Sequence, residues 1–130
     1  MDYYNDTELQ LEVRKSLIPD AGRGVFAGKY IPSGTIFGRY RGALRRIGEK
    51  GFKKNGPYAM KINHRVYIDA VDTPRCILAM MNDADGPSHS SKYENNCVFV
   101  GAGKKIQAQA IRDIYPGEEL LVDYDNEYWV

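Results

Sequence analysis

Cysteine and histidine are scarce in this chain of 130 residues: Cys76, Cys97, His64 and His89 are all it has. Two cysteines cannot build the disulfide framework of a small secreted domain, and they fall short of a four-cysteine zinc site. Two histidines complete a zinc cluster only with carboxylate help, and they support no Ser-His-Asp arrangement. His64 in a turn and His89 in a Ser-rich loop read as solvated side chains. No apolar run approaches the ~20 residues of a membrane-spanning helix. Met1-Asp2-Tyr3-Tyr4-Asn5-Asp6 is acidic and polar, unlike a secretory signal or a basic transit peptide. Long amphipathic helices, internal repeats, an interdomain linker and the Walker phosphate-binding pattern are also missing. These absences argue against a secreted miniprotein, a zinc finger and a membrane protein.

What is present has the balance of an ordinary globule, with 43% hydrophobic and 27% charged residues in a length that suits one domain. The net charge of +1 hides a segregation. Arg14 to Arg65 holds thirteen Lys or Arg against only Asp20 and Glu49, whereas Val66 to Val130 holds eleven Asp or Glu against five bases. Such charges either decorate solvated surfaces or give the molecule one basic and one acidic face for two different partners.

Along the chain, Leu9, Leu11 and Val13 alternate with polar residues, the period of a half-buried strand. Asp20 to Gly24 reads as a loop, Val25-Phe26-Ala27 as a strand, Pro32-Ser33-Gly34 as a turn, and Thr35 to Tyr40 as a further strand. Residues 41–57 carry six bases and four glycines and read as an exposed, irregular insert. Tyr58 to Ala70 reads strand, turn, strand. Cys76 to Met81 suits a brief buried helix, and residues 82–96 a long polar loop. Cys97 to Val100, Lys105 to Ala110 and Leu120 to Val122 supply three more strands, with a turn at Tyr115-Pro116-Gly117-Glu118. Many short strands at roughly 10-residue spacing predict a mainly β domain.

Gly22-Arg23-Gly24 can bring backbone close to a ligand, but it opens no helix as a dinucleotide site requires. Several pieces nevertheless fall into one order. Ala21-Gly22-Arg23-Gly24-Val25-Phe26-Ala27 is followed by Ile31-Pro32-Ser33-Gly34 and Tyr40-Arg41-Gly42. Tyr58-Ala59-Met60-Lys61-Ile62 and Tyr67-Ile68-Asp69-Ala70 come next, then Asn82 and Asn96-Cys97. Ile114-Tyr115-Pro116-Gly117-Glu118-Glu119-Leu120 with Asp123-Tyr124 closes the set. The ordered set resembles a SET domain, the core of protein-lysine methyltransferases that use S-adenosylmethionine. The likeness covers residues 9–130, with residues 1–8 as an N-terminal extension, and lacks the zinc-binding cysteine clusters that flank many relatives. In that respect it is similar to small viral or microbial SET proteins.

The resemblance implies a SET-type fold of several small β-sheets with short helices and a C-terminal pseudoknot, which would bring residues 82–97 against 118–124. It implies that Gly22, Arg23 and Gly24 hold the cofactor's methionine part, that Tyr58 lines the cofactor side, and that Asn82 hydrogen-bonds the cofactor. Asp83 stands where the family usually has histidine. Tyr124 would be the catalytic tyrosine beside the transferring methyl, also touching cofactor. Phe99, Val122, Tyr128 and Trp129 would line the substrate lysine channel. No metal is implied. Gly24→Val is expected to weaken cofactor binding in a protein that still folds. The implied partner is a histone or other lysine-rich protein, held nearest the acidic C-terminal third, while residues 41–54 meet nucleosomal DNA. A homodimer would complete the groove. The implied location is intracellular, in the nucleus, or the host nucleus for a viral protein. Two alternatives stay open: a non-catalytic SET-like or PR-type module that binds chromatin or protein tails, and an unrelated small β-barrel. Tyr58 and Tyr124 also suit plain core packing, Asn82 a cap, Glu118 and Glu119 structural or solvated roles, and both cysteines small buried hydrophobes.

Overall fold

Short strands punctuated by glycine and proline turns pair into four small sheets in the computed structural model, which describes residues 2–54, 56–84, 93–102 and 105–124. The elements are β1 (Tyr3–Tyr4), β2 (Leu11–Lys15), β3 (Arg23–Ala27), β4 (Ile36–Phe37), β5 (Ala43–Arg46), β6 (Ala59–Lys61), β7 (Val66–Asp69), β8 (Arg75–Cys76), a 3₁₀ helix (Ile77–Met80), β9 (Cys97–Ala102), β10 (Lys105–Ala110) and β11 (Glu119–Leu120). β3 is the middle of β11-β3-β2, β10 of β4-β10-β9 and β7 of β5-β7-β6, while β1 and β8 pair in parallel. The mainly β domain that the residue pattern predicts, and the several small sheets that the SET resemblance implies, are both observed. Among the described residues no helix is long and apolar enough to cross a membrane.

The alternation in β2 works as read: Leu11 and Val13 are half-buried, Glu12 and Arg14 exposed. In β10, Ile106, Ala108 and Ala110 all point inward. The non-alternating run after Cys76 is the 3₁₀ turn, and all four of its residues are buried. Two expectations need correction. The strand expected over Thr35 to Tyr40 stops at Phe37, because Gly38 packs against the Leu78 side chain and the chain then dives inward to bury Tyr40. The basic stretch 41–57 is exposed but not wholly irregular, since Ala43–Arg46 pairs antiparallel with Val66–Asp69. Its alternation was hidden because this edge strand buries neither face, and Leu44 itself is exposed.

One buried cluster, including Val25, Ile31, Tyr40, Leu78, Phe99, Ile106, Leu120 and Val122, joins the sheets. Cys76 and Cys97 lie in it as free thiols. Burial pushes the Cys97 thiol up to about 12, and that of Cys76 upward.

The segment after β11 runs between two other segments. Leu121 bridges in parallel to Asn82, and Val122 to Cys97. Val122 N–H donates to the Asn82 carbonyl at 2.9 Å, and the Asn96 and Cys97 amides both donate to the Leu121 carbonyl at 2.9 Å. Buried Asn96 completes the seam: its Nδ2 donates to the Glu119 carbonyl (2.9 Å) and its Oδ1 accepts from Leu121 N–H (2.8 Å). A buried amide with both ends bonded specifies one register, because any slip strands a donor and an acceptor away from water.

Candidate active site

A cleft of about 760 Å³ opens between the Ile18–Arg23 loop, the Pro57-Tyr58 corner with Arg75, and the Ala79–Asp83 segment, with Tyr124 in its wall. Gly22, Arg23, Tyr58, Asn82, Asp83 and Tyr124, singled out in the sequence, all line it. Gly24, Phe99 and Val122 do not. Gly24 lies behind the wall in β3, while Phe99 and Val122 are fully buried in the core. Tyr128 and Trp129 lie outside the described residues.

The cleft rests on a carboxylate, Glu119, that the sequence alone does not distinguish from its neighbour Glu118. Glu119 is 5% exposed. Its Oε2 accepts from the Ser16 hydroxyl at 2.7 Å and from Asn82 Nδ2 at 3.4 Å, while Oε1 accepts from Leu17 N–H at 2.9 Å. Asn82 Nδ2 also donates to the Arg23 carbonyl at 2.9 Å. The start of β3, at Arg23 and Gly24, and the segment bearing Asn82 are thus fastened to one buried carboxylate. Such a charge persists only when its lone pairs are occupied. Glu118, its neighbour, faces outward to Arg112 at 3.0 Å. Adjacent acids carry no signal of which one is buried, and β pairing decides: Glu119 pairs with Phe26 in the sheet.

The two glycines differ. Gly22 has φ +70°, in the left-handed region, lines the cleft, and would carry a Cβ into open space with nothing within 4 Å. A Cβ on Gly24 would collide with Glu119 Oε2 and stand 3.0 Å from Asn82 Nδ2.

Tyr124 is held at both ends. Its N–H donates to Asp83 Oδ2 at 3.1 Å, and its hydroxyl lies 2.7 Å from the Met81 carbonyl and 3.2 Å from that of Leu78. The ring packs on Phe99 at 5.2 Å between centroids, and Phe99 packs on Tyr40 at 5.9 Å. Phe99 therefore supports Tyr124 from below. Burial raises the Tyr124 phenol well above its ordinary value, so the hydroxyl stays protonated near neutrality. With its proton directed at carbonyls, the oxygen offers lone pairs to a neighbour.

Opposite, the Arg75 guanidinium stacks over the Tyr58 ring at 4.0 Å, and the Tyr58 carbonyl accepts from the Tyr40 hydroxyl at 2.8 Å. Arg23 pairs with Asp2, which holds the Asp2 carboxyl below the usual carboxylate range. Arg75 N–H donates to the Asp2 carbonyl at 2.9 Å, so the β1 edge reaches both cleft arginines. Arg75 belongs to no motif, and only tertiary pairing brings it here. Among the described residues no group of three His, Cys, Asp or Glu side chains is arranged to hold a metal ion.

Four small sheets, a C-terminal segment set between two others, and a ligand-sized cleft with a tyrosine in its wall are the features a family assignment has to account for. The SET-domain family model matches residues 22–125, and the chain belongs to that family, a family of methyltransferases. It is 36% identical over 121 residues to the histone-lysine N-methyltransferase set-17 of Caenorhabditis elegans, covering 89% of this chain and 41% of that protein. It is 30% identical over 128 residues to an H3 lysine-4 specific histone-lysine N-methyltransferase of Cryptococcus neoformans, covering 88% of this chain and 8% of that protein. The chain thus spans less than half the length of either relative. Among solved structures, the methyltransferase domain of human PR domain-containing protein 2 superposes with a TM-score of 0.67 at 28% identity, over 91% of this chain and 78% of that one. The SET domain of the RIZ1 tumor suppressor (PRDM2) gives 0.70 at 27%, over 93% and 72%.

Proposed function

We propose that this chain is an S-adenosylmethionine-dependent protein-lysine N-methyltransferase whose substrate is a histone tail lysine in the nucleus. The observation that carries the reading is the Tyr124 hydroxyl, held by the Met81 and Leu78 carbonyls in the wall of a cleft that also gathers Gly22, Arg23 and Asn82. The cleft volume falls within the ~300–1,000 Å³ of small-molecule sites. The unobstructed face of Gly22 and the apolar Met80 and Ala79 beside polar Asn82 suit a ligand with a polar amino-acid end and an apolar body. Gly22, Arg23, Tyr58 and Asn82 would hold the cofactor, which when bound supplies a methyl group on an already activated sulfonium.

The residues then have two tasks. A lysine must lose its proton before its nitrogen can attack, and a reference pKa of ~10.4 leaves a deficit of about 4.6 kcal/mol at pH 7. Desolvation beside the Tyr124 ring, which Phe99 backs from the core, disfavours the ammonium and lowers that cost. Tyr124, its own proton directed at Met81, presents lone pairs that orient the amine; alignment supplies much of the acceleration. The high phenol pKa makes Tyr124 an orienting group rather than a base.

Incubation of purified protein with methyl-labelled cofactor and mixed histones tests the reading. Label on a histone lysine, unchanged by chelator, is the expected result. Cofactor binding without transfer would instead make the chain a PR-type binding module, and no cofactor binding would defeat the cleft assignment.

The basic stretch 41–54 is proposed to touch nucleosomal DNA. Arg41 pairs with Asp6 (3.3 Å) and Arg45 with Glu49 (3.0 Å), which leaves exposed Arg46, Lys50, Lys53 and Lys54 for phosphates. Four phosphate contacts predict that affinity falls about 50-fold between roughly 50 and 150 mM salt. A nucleosome titration that stays flat across that range would remove this surface from the account.

A further inference from the structure

The Ala79–Asp83 segment grips Tyr124 twice. Met81 takes the hydroxyl, and Asp83, two residues on, takes the backbone amide through Oδ2 at 3.1 Å. The other carboxylate oxygen is tied as well: Asp83 Oδ1 accepts from Asn95 Nδ2 at 3.0 Å, and Asn95 Oδ1 accepts from Ala84 N–H at 2.8 Å. The three bonds form a relay from Ala84 through Asn95 and Asp83 to Tyr124, and its central bond joins residues 12 apart in sequence.

We propose that Asp83 is a positioning residue for methyl transfer. Through its Asn95-anchored carboxylate it fixes the Tyr124 backbone, and with it the place of the hydroxyl, rather than serving as a direct cofactor ligand. The inference rests on the reading of Tyr124 as the residue that orients the amine. The hydroxyl can be right only if both ends of the tyrosine are right, and a misplacement on the order of 1 Å costs about 100-fold in rate.

The relay makes a specific demand on hydrogen-bond direction. In Asp83→Asn, Oδ1 can still accept from Tyr124 N–H, but the new amide then confronts the Asn95 amide. If Asn95 flips, its Nδ2 confronts Ala84 N–H. One donor faces a donor either way. The double variant Asp83→Asn/Asn95→Asp reverses the central bond and restores all three, while it moves the negative charge from position 83 to position 95.

The experiment measures kcat and both KM values with a histone peptide, cofactor affinity by calorimetry, and exchange of the Tyr124 backbone amide by NMR. Asp83→Asn is expected to lower kcat by about 10- to 100-fold, change cofactor affinity by less than about threefold, and speed exchange of the Tyr124 amide. The double variant is expected to recover kcat and amide protection. Unchanged kcat in Asp83→Asn overturns the inference, as does a swap that folds without recovery or a loss confined to cofactor affinity. If the swap does not fold, Asn95→Ala decides: reduced kcat at preserved cofactor affinity supports the relay, and full activity overturns it. Tyr124→Phe in parallel separates the two claims. Full turnover there defeats the reading of Tyr124, whereas lost turnover there with an unaffected Asp83→Asn defeats the positioning role alone. Were the protein inactive on every peptide, the amide exchange would still test the relay.

Discussion

Tyr124→Phe is expected to lower turnover at least ~100-fold, the scale of losing one preorganised polar contact at a reacting centre. The ring and its packing on Phe99 survive the change, and only the hydroxyl goes. The Met81 carbonyl loses its donor, so the fold loses about 1 kcal/mol, which is a few degrees in Tm and far too little to explain a 100-fold rate loss. Cofactor affinity should hold. If Tyr124 merely packs the core, phenylalanine fills the same space and activity survives. The pH profile adds a second check. Burial raises the phenol above its ordinary value, so kcat/KM should climb with pH as the substrate amine deprotonates, with no separate inflection from Tyr124 in the neutral range. Stopped assays of wild type and variant across pH 6 to about 9 read both effects.

The second large effect separates two glycines that look equivalent in the sequence. Gly24→Val drives a branched side chain into Glu119, whose carboxylate holds Ser16, Leu17 and Asn82. Displacing a buried charge from its donors costs about 3 kcal/mol or more, so thermal unfolding should show a Tm fall on the order of 10 °C. The expectation that Gly24→Val weakens binding in an undisturbed fold therefore gives way to one in which fold and cleft fail together. Gly22→Ala behaves differently. Its backbone strain is about 1–2 kcal/mol at φ +70°, and its methyl enters open space at a residue that lines the cleft. Calorimetry should show cofactor affinity falling more steeply than stability in Gly22→Ala. Equal losses in the two variants would show that Gly22 serves only the turn.

Much of the fold was legible because local rules and tertiary pairing agree in it. The alternation around Leu11 and Val13, the turn at Pro116-Gly117 and the apolar run Ile77–Met80 each say locally what the sheets require. β5 was not legible, since an exposed edge strand carries no inside-outside contrast. At the cleft, the ordered motifs pointed to Gly22, Asn82 and Tyr124, but spacing cannot tell a glycine that faces ligand from one that faces a buried acid. The roles of Glu119, Arg75 and Asn95 come from contacts that span the chain, of which Ser16 to Glu119, 103 residues apart, is the extreme. Such partners leave no periodic trace in a single sequence.

The placement of Leu121 and Val122 between Asn82 and Cys97 also governs when this molecule becomes competent. Tyr124 reaches the cleft only after three stretches remote in sequence have met, so no early hairpin contains even half of the site. The entropy of closing those long loops must be overcome before the contacts form, which slows folding relative to a helical domain of equal size. It also removes cheap ways of opening. The Asn96, Cys97 and Val122 amides should exchange with solvent only through whole-molecule unfolding, while the β1 edge at Tyr3–Tyr4 exchanges sooner. A ribosome-bound chain ending before Tyr124 would hold most of the cleft's lining and still lack its working end.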